Sequence, residues 1–232
     1  MTRSFCKETG MRKLKKITGI LSVIALSIAF AALATYLTAP EEERPVIAEV
    51  FGFEEEAERA ERQIAWDELP DEVVAWVEVP GTSIDEPIAQ ASSDAPNAYL
   101  YKDAMGQGSY GTPYIDCECT LESPFAIVYG HHMSDGSAFA DFASFIDEGY
   151  AREHSEVIVY RRDAETLHLK PVAVDVVNAS REKLVLDQDM KPNERIANAD
   201  LILETPPDDS QIVAFVTCSY QTWNSRTVVM AA

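Results

Sequence analysis

Residues 212–220 read IVAFVTCSY and residues 226–229 read RTVV, with a polar loop between the two runs. Both runs are short, apolar and rich in β-branched side chains, which is typical of buried strands. Cys218 closes the first run and Arg226 opens the second. The pattern therefore predicts a hairpin whose mouth brings a thiol and a guanidinium together. For a lone cysteine, a buried structural thiol beside a surface arginine is the alternative interpretation.

The N-terminus combines a basic start with a long uncharged segment. Residues 17–38 contain no charged side chain and follow several Lys and Arg residues. A helix of that length crosses a bilayer core, and the basic flank places the N-terminus in the cytoplasm and the remainder outside. A cleaved signal peptide is the competing interpretation, because Ala32-Leu33-Ala34 has the small-x-small form. We favour an uncleaved single-pass anchor in the cell membrane, since the apolar run continues beyond that site.

Charge is distributed unevenly along the chain. Of its 19 basic and 39 acidic residues, six basic and one acidic lie in residues 1–38, which leaves the rest with a net charge of −25. Such an acidic domain repels nucleic acid, so no nucleic-acid partner is expected. We expect four segments: a basic cytoplasmic segment (1–16), the transmembrane signal-anchor (17–38), an acidic linker with an N-terminal helix (39–65) and the main extracellular domain (66–232).

The main domain has the pattern of an all-β protein with short helices. Apolar runs of strand length recur between turn signals, and together with the two runs above they predict about eight strands in a barrel or sandwich. Phe139, Phe142 and Phe145 stand at helical spacing, which indicates a core stripe rather than a cofactor site. Residues 178–210 are polar, with a short helix expected near residues 193–199.

Three cysteines lie after the anchor. Cys117 and Cys119 form a Cys-x-Cys pair and Cys218 stands apart. Three thiols do not make a disulfide framework, and this spacing fits no common zinc site. A zinc protein that uses His131, His132 and one thiol of the pair is therefore a weak alternative. We expect no metal and no other cofactor, and a free Cys218 in an oxidising compartment requires an explanation.

His131 differs from the other three histidines because it directly follows an apolar strand and Gly130. Strand ends are where rigid scaffolds hold reactive groups. With Cys218 and Arg226 it makes a candidate set of acid/base, nucleophile and oxyanion-stabilising group. A nearby imidazolium favours the nucleophilic thiolate form of a cysteine, and a guanidinium offers several fixed donors to an oxyanion. From these residues alone the prediction is a cysteine transferase or peptidase.

Taken together, these motifs resemble the sortases, and class B sortases most. The resemblance covers about residues 66–231. It is carried by Thr217-Cys218 at a strand end, Arg226 eight residues later, the segment YGHHMSDGSAF at residues 129–139, and AWVEVPGTSIDEPI at residues 75–88.

The resemblance implies a closed eight-stranded sortase-type β-barrel with short helices and an N-terminal helical appendage. It implies that Cys218 attacks the carbonyl of a threonine in a sorting signal, that His131 protonates the leaving amine, and that Arg226 stabilises the oxyanion. Thr217 is expected to contribute a further oxyanion donor. It matches a substrate-binding position, as do Leu100 and Tyr129.

The partners implied are surface proteins of Gram-positive bacteria that bear a C-terminal sorting signal, and an amine acceptor from a cell-wall precursor or a pilin. The function expected is thus a membrane-anchored cysteine transpeptidase. A cysteine endopeptidase with water as acceptor is the first alternative. A catalytically silent surface interaction domain is the second, and it predicts a Cys218 that is unreactive toward thiol reagents.

Overall fold

One mixed β-sheet organises the part of the chain that the structure describes. The computed structural model describes residues 62–106, 108, 110–182, 184 and 186–232. The expected anchor over residues 17–38 lies outside these residues, as do residues 39–61 of the acidic linker, which include most of its expected helix. Within the described residues, no helix combines the length and the apolar character needed to span a bilayer.

Ten strands and two short α-helices are present in the described residues. The strands are β1 Val73–Glu78, β2 Asp85–Gln90, β3 Tyr114–Ile115, β4 Phe125–Gly130, β5 Val157–Arg161, β6 Leu167–Leu169, β7 Pro171–Asn178, β8 Leu201–Ile202, β9 Ile212–Ser219 and β10 Ser225–Ala231. The helices are α1 Glu148–Glu153 and α2 Pro192–Ile196, with 3₁₀ turns at Trp66–Glu68, Ala98–Leu100 and Ala140–Ile146.

The strand order across the sheet is β6-β5-β1-β2-β3-β4-β9-β10-β7-β8. The β2–β3 and β4–β9 pairs are parallel and the others are antiparallel. The predicted hairpin of residues 212–229 is confirmed as β9 and β10. Because β4 runs parallel to β9, the C-terminal ends of these two strands lie side by side at the same end of the sheet. His131, which follows β4, and Cys218 of β9 lie at that end.

The sheet curls around one large apolar cluster. β5, near one end of the strand order, contributes Val157 and Val159 to this cluster, and β7, near the other end, contributes Val174. Strands so far apart in the order share a core only when the sheet bends round to face itself. Fully buried apolar side chains of this kind are the main source of the fold's stability.

The expected closed barrel of eight strands is corrected to this curled sheet of ten. Residues 167–178 form two strands, β6 and β7, which are separated at Lys170. Pro171 has no N–H to donate, and Lys170 exchanges two backbone bonds with Ala232 at the chain's last residue. β8 has only two residues, too few for a periodic signal, and β6 and β8 form the two edges of the sheet among the described residues.

The predicted aromatic stripe is confirmed as core. Phe139, Phe142 and Phe145 have no exposed surface, and Phe142 stacks on Phe215 of β9 with ring centroids 5.0 Å apart and planes 16° apart. The 3₁₀ turn of Ala140–Ile146 therefore packs directly beneath the cysteine strand. The short helix expected near residues 193–199 begins and ends slightly earlier, at Pro192 and Ile196, because proline suits the first helical turn.

Candidate active site

Cys218 and Arg226 are direct cross-strand partners in the β9–β10 hairpin. Directly opposed residues of an antiparallel pair project their side chains on the same face, close enough to interact. Cys218 is half-buried, while its neighbours Thr217 and Ser219 on the strand are buried. The thiol and the guanidinium therefore share one face of the sheet at the mouth of the hairpin.

His131 reaches the same place from β4. The last register pair of the parallel β4–β9 ladder is Gly130 with Thr217, so the next residues along the two strands are His131 and Cys218. Glycine is needed before the histidine, because a Cβ at position 130 would lie under 3.0 Å from the ring of Phe139. The packed Phe139 ring thus fixes the exit of the chain from β4.

A backbone carbonyl holds the His131 ring. The Nε2 atom lies 2.6 Å from the carbonyl oxygen of Leu100. A carbonyl oxygen only accepts, so Nε2 carries the hydrogen and donates it. Nδ1 is then the nitrogen left to exchange a proton with a group in the cavity, and the carbonyl fixes the ring's orientation as the partner of a catalytic histidine does.

These side chains line one cavity of about 390 Å³. All six residues that the sequence singled out lie in its wall. The full lining is Tyr99, Leu100, Tyr101, Thr112, Tyr114, Tyr129, Gly130, His131, Val216, Thr217, Cys218 and Arg226. The structure therefore brings together a thiol, an imidazole and a guanidinium in an apolar and aromatic setting, the composition expected of a small-molecule or peptide site.

The guanidinium of Arg226 is held by neutral groups. Its Nη1 donates to Oδ1 of Asn224 at 3.3 Å and to the carbonyl of Ser225 at 3.1 Å. Asn224 occupies the left-handed region at φ 54°, which asparagine tolerates better than most residues. Among the described residues no carboxylate forms a salt bridge with Arg226. Its positive charge is thus available to an oxyanion in the cavity.

Two tyrosines, Tyr114 and Tyr129, line the cavity on the β3–β4 side. The hydroxyl of Tyr129 donates to Oδ2 of Asp116 at 3.1 Å, and its ring centroid is 5.4 Å from that of Tyr114. Burial, followed by the charge of Asp116, raises the pKa of both phenols above the ordinary value. Both therefore remain neutral phenols, and both contribute aromatic side chains to the lining of the cavity.

Thr217 stands in the cavity wall in a different way. It is 1% exposed, and its hydroxyl has no hydrogen-bond partner among the described residues. Side chains alternate along a strand, so that of Thr217 points to the face opposite Cys218. We therefore infer from this alternation that Thr217 borders the cavity with its main chain.

Cys117 and Cys119 lie away from this cavity. Cys119 is buried, with its sulfur accepting from the backbone N–H of Ile127 at 3.4 Å, and burial raises the pKa of both thiols. The two cysteines are free rather than disulfide-bonded. Within the described ranges, no group of three or more His, Cys, Asp or Glu side chains is arranged to hold a metal ion.

A second cavity of about 310 Å³ borders the other side of His131. Four carboxyl residues line it: Asp85, Glu86, Asp103 and Asp135. Burial raises the pKa of the Glu86 carboxyl above its ordinary value. The histidine thus separates an aromatic cavity that contains the thiol from an acidic one.

The sequence indicated neither the hydrogen bond made by His132 nor the one accepted by the carbonyl of Leu100. His132 places Nδ1 2.9 Å from the carbonyl oxygen of Cys218, although the two residues are 86 positions apart. Every residue has a backbone carbonyl, so the residue type of the acceptor does not indicate such a contact. The sequence analysis named His132 only as a ligand in the zinc alternative, and its position directly after His131 was the available hint.

A cysteine, a histidine and an arginine converge where neighbouring strands of a curled mixed sheet end. This arrangement is typical of enzymes that use a cysteine nucleophile. The Sortase domain family matches residues 77–232. The chain belongs to the sortase family.

Individual relatives agree with this assignment. The chain is 32% identical over 89 residues to sortase B of Listeria monocytogenes, an alignment that spans 37% of this chain and 35% of that protein. The structure of Clostridium perfringens sortase B matches with a TM-score of 0.59 and 25% identity, covering 69% of this chain and 92% of that one. A class B sortase of Streptococcus pyogenes involved in pilus biogenesis matches with a TM-score of 0.62 and 23% identity, covering 72% and 97%.

Proposed function

We propose that this protein is a class B-like sortase, a cysteine transpeptidase that cleaves a sorting signal near the C-terminus of surface proteins and transfers the product to an amine. The observation that carries the proposal is the single cavity in which Cys218, His131 and Arg226 meet. Each of the three supplies a group that acyl transfer requires: a nucleophile, a proton carrier and an oxyanion partner.

Acylation starts when the Cys218 thiolate attacks the carbonyl carbon of a threonine in the signal. A C–S bond forms, and the carbonyl oxygen becomes an oxyanion that faces the guanidinium of Arg226. As the intermediate collapses, the C–N bond breaks and the departing amine takes a proton from His131. The products are a thioester on Cys218 and the released C-terminal peptide, and no cofactor enters the balance.

The second half-reaction returns the thiol. A primary amine, from a cell-wall precursor or a pilin lysine, attacks the thioester carbonyl after losing a proton to His131. The C–S bond breaks, an amide forms and Cys218 leaves as the thiolate. The acidic cavity that also borders His131 supports an amine as acceptor, because its carboxylates attract a cationic group toward the active site.

We propose further that residues 17–38 anchor the protein as a single-pass helix with the catalytic domain outside the cell. The basic flank and the uncharged segment support this orientation. Membrane fractions of cells expressing the full chain should contain the protein, and a chain of residues 39–232 should appear in the soluble fraction. An equal distribution of the two chains between the membrane and soluble fractions would contradict the proposed anchor.

The decisive experiment is incubation of the protein with peptides that carry different sorting signals, with and without an added amine, followed by mass spectrometry. We expect a thioester adduct on Cys218 and a ligated product when the amine is present. Hydrolysed peptide alone, in the presence of the amine, would identify an endopeptidase instead. If no peptide forms an adduct and Cys218 does not react with thiol reagents, the protein is a catalytically silent interaction domain.

A further inference from the structure

The loop that carries His131 is tied to the backbone of the cysteine strand by the next residue, His132. Its Nδ1 lies 2.9 Å from the carbonyl oxygen of Cys218. Since that oxygen only accepts, Nδ1 is the protonated nitrogen and donates the bond. The imidazole also meets the ring of Tyr220 edge-on, with centroids 4.8 Å apart and planes 68° apart.

This bond sits where the sheet ends. The last β4–β9 register pair is Gly130 with Thr217, so Cys218 lies one residue beyond the ladder. The side chain of His132 therefore connects the two strands at the point where backbone pairing stops. The loop is also held by its own backbone. His132 and Ala138 form an isolated antiparallel β-bridge, and the N–H of Phe139 donates to the carbonyl of His131 at 2.9 Å.

The side chains of His131 and His132 point in different directions and have different contacts. His131 lines the cavity with Cys218, whereas His132 is absent from its lining. Successive side chains on an extended segment point to opposite sides, so one residue faces the substrate and its neighbour faces the protein. His132 thus touches the main chain of the nucleophile and none of the groups that react.

We infer that His132 is a positioning residue, whose hydrogen bond to the Cys218 carbonyl sets the separation between the His131 imidazole and the Cys218 thiol. This inference rests on the proposed function for its catalytic consequence. The structural part of the inference does not depend on that function, because the bond joins His132, which directly follows His131, to Cys218. Loss of the bond frees the loop to shift, and displacement of about 1 Å in an active site costs up to about 100-fold in rate.

The test compares two substitutions of the same size and shape. In His132→Asn the side-chain amide nitrogen takes a place close to that of Nδ1 and keeps the donor, whereas His132→Leu removes it. We expect the leucine variant to lose about tenfold or more in the rate constant for acyl-enzyme formation, with KM changed less than about twofold. We expect the asparagine variant to retain at least about a third of the original rate.

A matched control exists on another loop. His154 places its Nδ1 3.2 Å from the carbonyl of Pro80, and neither residue lines the cavity. His154→Leu removes an equivalent bond and should alter only thermal stability. If His132→Leu behaves as His154→Leu does, or if the asparagine and leucine variants at position 132 lose the same activity, the positioning role is refuted.

A second measurement needs no substrate. Alkylation of Cys218 by iodoacetamide at neutral pH depends on the imidazole beside the thiol. It should slow in His132→Leu and stay near the original rate in His132→Asn and His154→Leu. A parent protein that alkylates rapidly but forms no acyl-enzyme would refute the proposed transpeptidase while this comparison still decides the role of His132. Equal alkylation rates in all variants would refute the positioning role alone.

Discussion

Arg226 is the residue whose chemistry is tested most directly by substitution. Its planar guanidinium offers donors in a fixed fork, and a lysine ammonium cannot reproduce that geometry although it keeps the charge. We expect Arg226→Lys to lose about two to three orders of magnitude in acyl-enzyme formation, the cost of removing one oxyanion donor. Rapid-quench mass spectrometry of the acylated protein measures this loss.

Two comparisons give this prediction its control. Cys218→Ala should form no adduct at all, because the nucleophile itself is gone. Arg195→Lys, which changes another arginine the same way outside the cavity, should keep the original rate. Full activity in Arg226→Lys would exclude the guanidinium from the oxyanion role.

At the level of single residues, the contacts hardest to foresee are those made to backbone atoms. The motif identified His131, but nothing in the sequence indicates that the carbonyl of Leu100 receives its Nε2 hydrogen. Leu100 was expected to be a substrate-binding residue, and that expectation stays a prediction. Backbone acceptors are the same at every position, so only the fold determines which of them meets an imidazole.

Among the structural elements, β4 depends on Gly130 at its end. A Cβ there would press into the ring of Phe139, which is fully buried and packs on Phe142 and Phe215. We expect Gly130→Ala to destabilise the domain by about 1 to 3 kcal/mol, as overpacking a tight core does. The displaced strand end should also reduce acyl-enzyme formation, because His131 is the next residue. Thermal unfolding and the adduct assay measure the two effects.

Gly149 of α1 supplies the comparison for that substitution. A Cβ at Gly149 would meet only the carboxylate oxygen of Asp147, at 3.1 Å. Alanine also suits a helix better than glycine by about 1 kcal/mol. Gly149→Ala should therefore change stability by less than about 1 kcal/mol and leave the adduct assay unaffected. Equal stability of the two variants would show that the Phe139 ring yields easily.

The β7–β8 edge contains a pair of carboxyl groups whose effect depends on pH. Burial, followed by the charge of Asp200, raises the pKa of Asp175 above its ordinary value. Both carboxyls accept from the N–H of Val176 at 3.0 Å. The folded state thus binds a proton more tightly than the unfolded chain, so this group's contribution to stability falls as pH rises from its ordinary pKa near 4 through the raised value.

Asp175→Asn removes that penalty while keeping an oxygen for Val176. The variant should be more stable than the parent at pH 7, by about 2 °C in Tm, since half-burial leaves much of the repulsion screened by solvent. The difference should vanish near pH 3, where the unfolded carboxyl is protonated too. Asp209→Asn, at an exposed position, controls for the loss of one negative charge from an acidic chain. An advantage that is independent of pH would contradict the assignment to Asp175.

For the molecule as a whole, local patterns predicted strands well and their arrangement less well. The β9–β10 hairpin, the Phe139–Phe142–Phe145 core stripe and the family followed from sequence. The break between β6 and β7 at Lys170 depends on a pairing with Ala232 that only the folded sheet reveals. Likewise, spacing predicted that Cys218 faces Arg226, and the position of His131 after a strand made it a candidate third member of the set, but spacing could not show that the three side chains meet. Parallel pairing of β4 with β9 is a long-range contact with no local signature.

The overall charge of the molecule leads to a prediction about its acceptor. Outside residues 1–38 the chain has a net charge of −25, and carboxyl residues line the cavity beside His131. A cationic amine should therefore reach the thioester faster at low ionic strength, where the screening length is about 30 Å, than at 0.15 M, where it is about 8 Å. With an uncharged signal peptide, we expect the aminolysis rate with cadaverine to fall about threefold or more over that range.

Hydroxylamine, which is uncharged at neutral pH, separates steering from a general effect of salt on the enzyme. Its aminolysis rate should stay constant over the same range, because no attraction exists to be screened. A parallel fall for both amines would place the salt effect on the protein rather than on the approach of the acceptor. A cadaverine rate that is insensitive to salt would mean that the acidic cavity has no part in acceptor capture, and that the amine reaches the thioester by the aromatic side of His131.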